Sequence, residues 1–360
     1  MKKDFLSLVS HQKTEKRLTK ETLNHPGIIA LASGQNPFTE TQTAYVKAYE
    51  ALGIDFINRV PEENATHSLR PGDSMEILGD YKKSYLGVYD TYTRWKYPYK
   101  NAEDFFDSVE IDLDYHQLIT PVPHFLDRDV IERKMKIVDD IGLYYYMLYT
   151  NLFMWGVEYL GWEVFMTAAT INPEIFKTRF LNPAAFKSRE AIKILSSVTS
   201  PFVFVHDDLA SAQGSVFQPE WYDRYIFPRY EFIWEPARKA GKKIIFTADG
   251  NMSALLKPLK EVSVDGVMLE SPATDFDRIL DVFGDSIVIG GIDTRILTFG
   301  TPEMIRIHVK HVHKMTEGIL GYVMSSCGGL HGNIPIRNLE VYFDTRAELG
   351  YTPGAWRAKR

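Results

Sequence analysis

The sequence holds one cysteine, Cys327, in 360 residues. No intrachain disulfide is possible, and a reducing, cytoplasmic setting is the natural expectation. No apolar run approaches the length of a membrane helix, and Met1-Lys2-Lys3-Asp4 leads into a polar helical pattern rather than an apolar signal segment. Nor is there a concentrated basic stretch. The formal net charge is −6 with both signs scattered, which argues against a nucleic-acid partner. Several motifs are also missing. Without GxGxxG or GxxxxGK[ST] there is no glycine-rich phosphate loop. Without GxSxG there is no nucleophile elbow. Without CxxC or HExxH there is no ready-made zinc motif. No repeat, linker or low-complexity segment divides the chain, so residues 1–360 are expected to form a single domain.

Present instead are five short apolar runs between residues 202 and 328, each ending in a residue able to do chemistry. Phe202–Val205 leads to His206, Asp207 and Asp208. Lys243–Phe246 leads to Thr247, Ala248 and Asp249. Gly266–Leu269 leads to Glu270, Ile287–Ile292 to Asp293, and Tyr322–Met324 to Ser325, Ser326 and Cys327. Continuous apolar runs separated by helix-length segments mark parallel strands buried on both faces. Gly27–Ala32, Asp55–Val60 and Gly142–Met147 bring the number of strands to eight. Eight such strands alternating with helices predict an α/β fold, the (β/α)8 TIM barrel.

Residues 1–25 read as an N-terminal extension, a helix with the stripe Phe5, Leu6, Leu8 and Val9 followed by a connection. Residues 61–125 lack a clean period and are expected to be an insertion or lid over the barrel mouth, with a hairpin strand at 83–88. Helices are expected at Asp127–Val138, Leu152–Thr170, Ala184–Ser196, Pro302–Met315 and Ile336–Leu349. A long one from Trp221 to Ala240 should be kinked by Pro228 and Pro236.

In a parallel barrel the functional groups collect at the C-terminal ends of the strands. This places Asp208, Asp249, Glu270, Asp293 and Cys327 around one mouth. Asp249, before Gly250-Asn251, suits a backbone turn as well as a ligand role. Glu270 is a poor cap, and a buried carboxylate must be paired or bind a cation. Asp208, Glu270 and Asp293 are the candidates for catalytic carboxylates. Asp249, Glu270 and Cys327, with His331 nearby, offer a mixed O, S and N set for Zn²⁺. Gly290 and Gly291 suggest a close backbone approach to a ligand, and Gly328 leaves room beside Cys327. In His206-Asp207-Asp208 at least one carboxylate is expected to bond only backbone groups. His308, His311 and His313 read as structural. The aromatic run Tyr144-Tyr145-Tyr146, with Trp155 and Trp162, suits either barrel core or a ring-binding wall.

Together these segments carry a resemblance. The run from Asp208 through Pro219-Glu220 to Ala240-Gly241-Lys242-Lys243 is similar to the uroporphyrinogen decarboxylase superfamily. So are Asp249-Gly250-Asn251, Gly290-Gly291-Ile292-Asp293-Thr294, Gly300-Thr301-Pro302-Glu303 and Pro335…Asn338. The resemblance covers roughly residues 140–350 and implies a (β/α)8 barrel. Decarboxylases of this superfamily carry an Arg-Gln-Ala-Gly-Arg-type run that grips substrate carboxylates. The loop matched to it here, Ala32-Ser33-Gly34-Gln35-Asn36-Pro37, has no arginine. The other branch comprises zinc methyltransferases that work with a corrinoid protein and bind zinc through His-x-Cys and a later Cys. Those positions read Thr247-Ala248-Asp249 and Cys327 here. The resemblance therefore implies methyl transfer from a small methylated donor, such as an aromatic methyl ether, to the cobalt of a partner corrinoid protein. A lyase or decarboxylase acting on a small carboxylate, and a barrel that binds without chemistry, are the alternatives.

Overall fold

The fold was obtained as a computed structural model, which describes residues 3–62, 75–86, 89–108, 126–149 and 151–358. Eight parallel strands form one sheet: β1 (Thr19–Lys20), β2 (Phe56–Ile57), β3 in two pieces (Leu143–Tyr144 and Met147–Leu148), β4 (Phe202–His206), β5 (Lys243–Ala248), β6 (Gly266–Leu269), β7 (Ile287–Ile292) and β8 (Tyr322–Ser326). The first piece of β3 pairs with β2 and the second with β4, so the sheet closes on itself. The result is the (β/α)8 TIM barrel.

Alternation along the strands fixes what faces inward. Phe56, Leu143, Tyr145, Phe202, Phe204, Ile245, Ile287, Ile289 and Val323 fill the barrel floor. Tyr145 stacks on Phe204 with ring centroids 3.8 Å apart. The N-terminal helix Lys3–Val9 plugs this floor from below through Phe5 and Leu8. Phe5 meets Phe56 edge to face at 5.1 Å. Residues of the opposite parity, such as Val203, Val205, Ile244, Phe246 and Met324, pack against the helices outside.

Gly27–Ala32 is not a strand. It lies in the helix Pro26–Ser33, which His25 caps through Nδ1, Pro26 opens and Gly34 closes in the left-handed conformation. The first barrel strand is Thr19–Lys20, seven residues upstream of Pro26. The loop after it is Glu21–His25, which also lacks arginine. The 152–170 region divides at Gly161 into Phe153–Leu160 and Trp162–Ile171. The 221–240 region breaks at Ile226, just before Pro228, into Pro219–Tyr225 and Phe227–Lys239, with Pro236 inside the second helix.

Part of the 61–125 insertion falls outside the described residues. The described part contains an antiparallel sheet of Met75–Leu78, Tyr81–Leu86 and Tyr89–Arg94. It sits against the helices after β3. Tyr99 meets Tyr159, and Phe105 meets Phe176. Tyr145 and Trp155 are buried in the core, whereas Trp162 is exposed. No helix among the described residues is long and apolar enough to cross a membrane.

Candidate metal centre at the barrel mouth

The ladder continues past the strand ends and sets the mouth residues side by side. Asp207 N–H donates to Thr247 O at 3.0 Å, Glu270 N–H to Ala248 O at 3.1 Å, and Cys327 N–H to Ile292 O at 3.0 Å. On β4 the inner parity runs Phe202, Phe204, His206, Asp208, and on β5 it runs Ile245, Thr247, Asp249. Because Thr247 lies opposite His206, Asp249 falls beside Asp208. His206, Asp208 and Asp249 each offer a ligand atom within 4.8 Å of the others, the one such group of His, Cys, Asp or Glu among the described residues.

Hydrogen bonds orient the group. Asp208 Oδ1 accepts the Asp249 N–H at 2.7 Å and faces His206 Nε2 at 3.2 Å. His206 Nδ1 lies 3.2 Å from the Tyr149 carbonyl. Burial pulls the His206 imidazolium down. The hydrogen bond and charge of Asp208, the charge of Asp249 and the Tyr149 carbonyl outweigh that and push its pKa up to about 9. Burial opposes ionisation of Asp208 too, yet its His206 partner and the Asp249 N–H hold it below the ordinary value. The Asp249 carboxyl reaches solvent, but the protein on its inner side and the Asp208 charge raise its pKa. No hydrogen bond to the Asp249 carboxylate exists among the described residues.

The other expected residues take different places. Asp249, Glu270 and Cys327 do not form a group of that compactness. Glu270 accepts the Gly250 N–H at 2.8 Å, which fixes the loop carrying Asp249. Gly250 itself has φ +84, and a Cβ there would sit 2.4 Å from Ala210 O. Cys327 lies three strands around the ring from β5. Its Sγ accepts the Ser271 N–H at 3.2 Å. Asp293 caps the helix Thr294–Phe299, accepts the Arg295 N–H at 2.8 Å and pairs with its guanidinium. Its own N–H donates to His308 Nε2 at 2.9 Å, a structural role for that histidine. Asp207 faces outward and accepts the N–H groups of Leu152, Phe153 and Met154 and the Tyr230 hydroxyl, all within 2.8 Å. Of the glycines, Gly291 serves packing: a Cβ there would lie 2.8 Å from Val312. A Cβ at Gly328 would meet nothing within 4 Å among the described residues.

Burial pushes the Cys327 thiol up to about 12. A nucleophilic cysteine needs its thiolate. Against an ordinary thiol near 9, the thiolate fraction at pH 8 is about a thousandfold lower. Iodoacetamide is therefore expected to label the native protein at least ~100-fold more slowly than the urea-unfolded chain. Mass spectrometry reads this directly, since the chain has one cysteine. Equal labelling rates would show an exposed or activated thiol instead.

The chain belongs to the uroporphyrinogen decarboxylase (URO-D) family, which it matches over residues 163–349. No curated protein sequence matches it. Among solved structures it resembles a methyltransferase from Methanosarcina mazei, with a TM-score of 0.65 and 14% identity over 96% of this chain and 98% of that one. That likeness is one of fold. Looser likenesses include a sugar phosphate isomerase/epimerase from Parabacteroides distasonis, at TM-score 0.42 and 13% identity over 94% of this chain and 97% of that one.

Proposed function

We propose that this protein is a corrinoid-linked methyltransferase with a divalent metal, zinc in the first instance, held by His206, Asp208 and Asp249. It moves a methyl group from the oxygen of a small donor, such as an aromatic methyl ether, to the cobalt of a partner corrinoid protein. The observation that carries this reading is the convergence of those three side chains within 4.8 Å at the C-terminal end of the barrel. The end-to-end fold likeness to a methanogen methyltransferase agrees with it.

The donor set fits a cation of intermediate to hard character. With Nδ1–H donating to the Tyr149 carbonyl, the neutral imidazole presents Nε2 to a metal, the usual arrangement behind a histidine ligand. The Asp249 carboxylate adds an oxygen with no competing partner among the described residues. Oxygen-rich ligation suits activation of an oxygen-bound methyl rather than of a soft thiol acceptor. A bound divalent ion supplies a Lewis acid that makes the donor oxygen a better leaving group. The chain's own part is to hold the ligands, through the Asp249 N–H on Asp208 and the Glu270 carboxylate on Gly250 N–H.

Metal binding requires His206 to be neutral. Its pKa of about 9 in the metal-free protein means that a proton must leave at any lower pH. Metal affinity is therefore expected to fall about tenfold for each pH unit below 9. Zinc competition titrations between pH 6 and 9, with elemental analysis, test this. A protein that holds no metal, or an affinity flat with pH, would sink the assignment. Corrinoid methylation assayed with and without a chelator tests the reaction.

A further inference from the structure

We infer that Lys20 is an anchor in the barrel mouth for an anionic oxygen on the substrate, so that the site takes a small carboxylate or phenolate. The inference rests on the reading that this mouth is the substrate site, but not on metal or methyl transfer.

Lys20 ends β1, two residues after Leu18, which belongs to the barrel floor. Alternation therefore turns Lys20 inward, above that floor and below the strand-end carboxylates. Only 4% of its surface is exposed. A charged side chain is rarely buried to this degree without a counter-ion. Yet among the described residues Lys20 makes no ion pair, and its Nζ makes one hydrogen bond, to Thr22 Oγ1 at 3.0 Å. An ammonium has three donors, so two remain for a ligand.

A second observation marks the same corner. Asn58, past the end of β2, donates from Nδ2 to the same Thr22 Oγ1 at 3.3 Å. Its Oδ1 is buried with no partner among the described residues. Thr22 thus ties together a cation with unused donors and an amide with an unused acceptor. Buried polar atoms are ordinarily satisfied, and those that are not mark places where a ligand or water belongs. Burial lowers the Lys20 pKa, while the charges of Glu21, Cys327 and Asp249 oppose that fall.

The test titrates benzoate and its neutral isostere benzamide into wild type and Lys20→Met, each zinc-loaded and metal-stripped. Methionine fills the volume of the lysine stem and removes the buried charge, and thermal melting verifies the fold. The expected result is a preference of wild type for benzoate of about 10-fold or more, erased in Lys20→Met. Absence of the preference in wild type, or its survival in Lys20→Met, would overturn the inference. Zinc content is read on the same samples. A benzoate preference that depends on Lys20 in a protein that binds no zinc keeps this anchor and removes the metal centre.

Discussion

His206→Ala and Asp249→Ala are each expected to lower zinc affinity at least ~100-fold and to reduce corrinoid methylation to background. Each substitution removes one of the three proposed ligands, and two ligands hold a divalent ion poorly at neutral pH. Neither residue belongs to the apolar core. Asp208 also keeps its 2.7 Å bond in Asp249→Ala, because the donor is a backbone N–H. Melting temperature should therefore stay near that of the metal-free wild type. Cys327→Ala separates this ligand set from the one implied by family resemblance, in which Cys327 is a ligand and His206 is not. Here Cys327→Ala is expected to retain zinc. The assignment fails if elemental analysis finds zinc in His206→Ala and none in Cys327→Ala.

The barrel was readable in the sequence where strands are buried on both faces. Phe202–Val205, Ile244–Phe246 and Ile287–Ile292 are continuous apolar runs because their inner residues fill the floor and their outer residues meet helices. β1 gives no such run. Its inner residue is Lys20, in the mouth, and the next residue outward is Glu21, buried against Arg346. The apolar run Gly27–Ala32 drew the strand assignment instead. Pro26 at its start and Gly34 at its end were helix signals that outweigh an apolar stretch of six residues.

The site was legible in part for a related reason. Strand ends alone place Asp208, Asp249, Glu270 and Cys327 around the mouth. They do not give angular distance around the ring, which separates Cys327 on β8 from Asp249 on β5. His206, which completes the compact group with Asp208 and Asp249, carried a usable signal. Residues two apart on one strand share a face, so His206 and Asp208 point inward together. Lys20 carried none, because its strand has only two residues.

Glu21 and Arg346 lead to the largest expected effect on stability. Both are fully buried between β1 and the helix Ile336–Glu348, with 3.3 Å between Oε1 and Nη1. Glu21 also accepts the Tyr342 hydroxyl at 2.5 Å, the Ser326 N–H at 3.3 Å and the Ser326 hydroxyl. Arg346 is less well served. Its Nε and Nη2 have no partner among the described residues, and its guanidinium rests on the rings of Tyr342 and Phe343, 5.2 and 5.0 Å from their centroids. Arg346→Met leaves the Glu21 carboxylate buried without a cation and is expected to cost ~3–5 kcal/mol. Glu21→Gln strands the guanidinium and should cost a similar amount, roughly 3–5 kcal/mol. The pair is a different matter. Its desolvation is incompletely offset, since two guanidinium nitrogens find no acceptor among the described residues. The double variant Glu21→Gln/Arg346→Met removes both charges and keeps the hydroxyl partners for the amide. It is expected to be within about 2 kcal/mol of wild type, less damaging than either single change. Urea unfolding of the four proteins measures the coupling. Additive losses would mean that the two side chains contribute separately, through packing, and that the buried charges do not depend on one another.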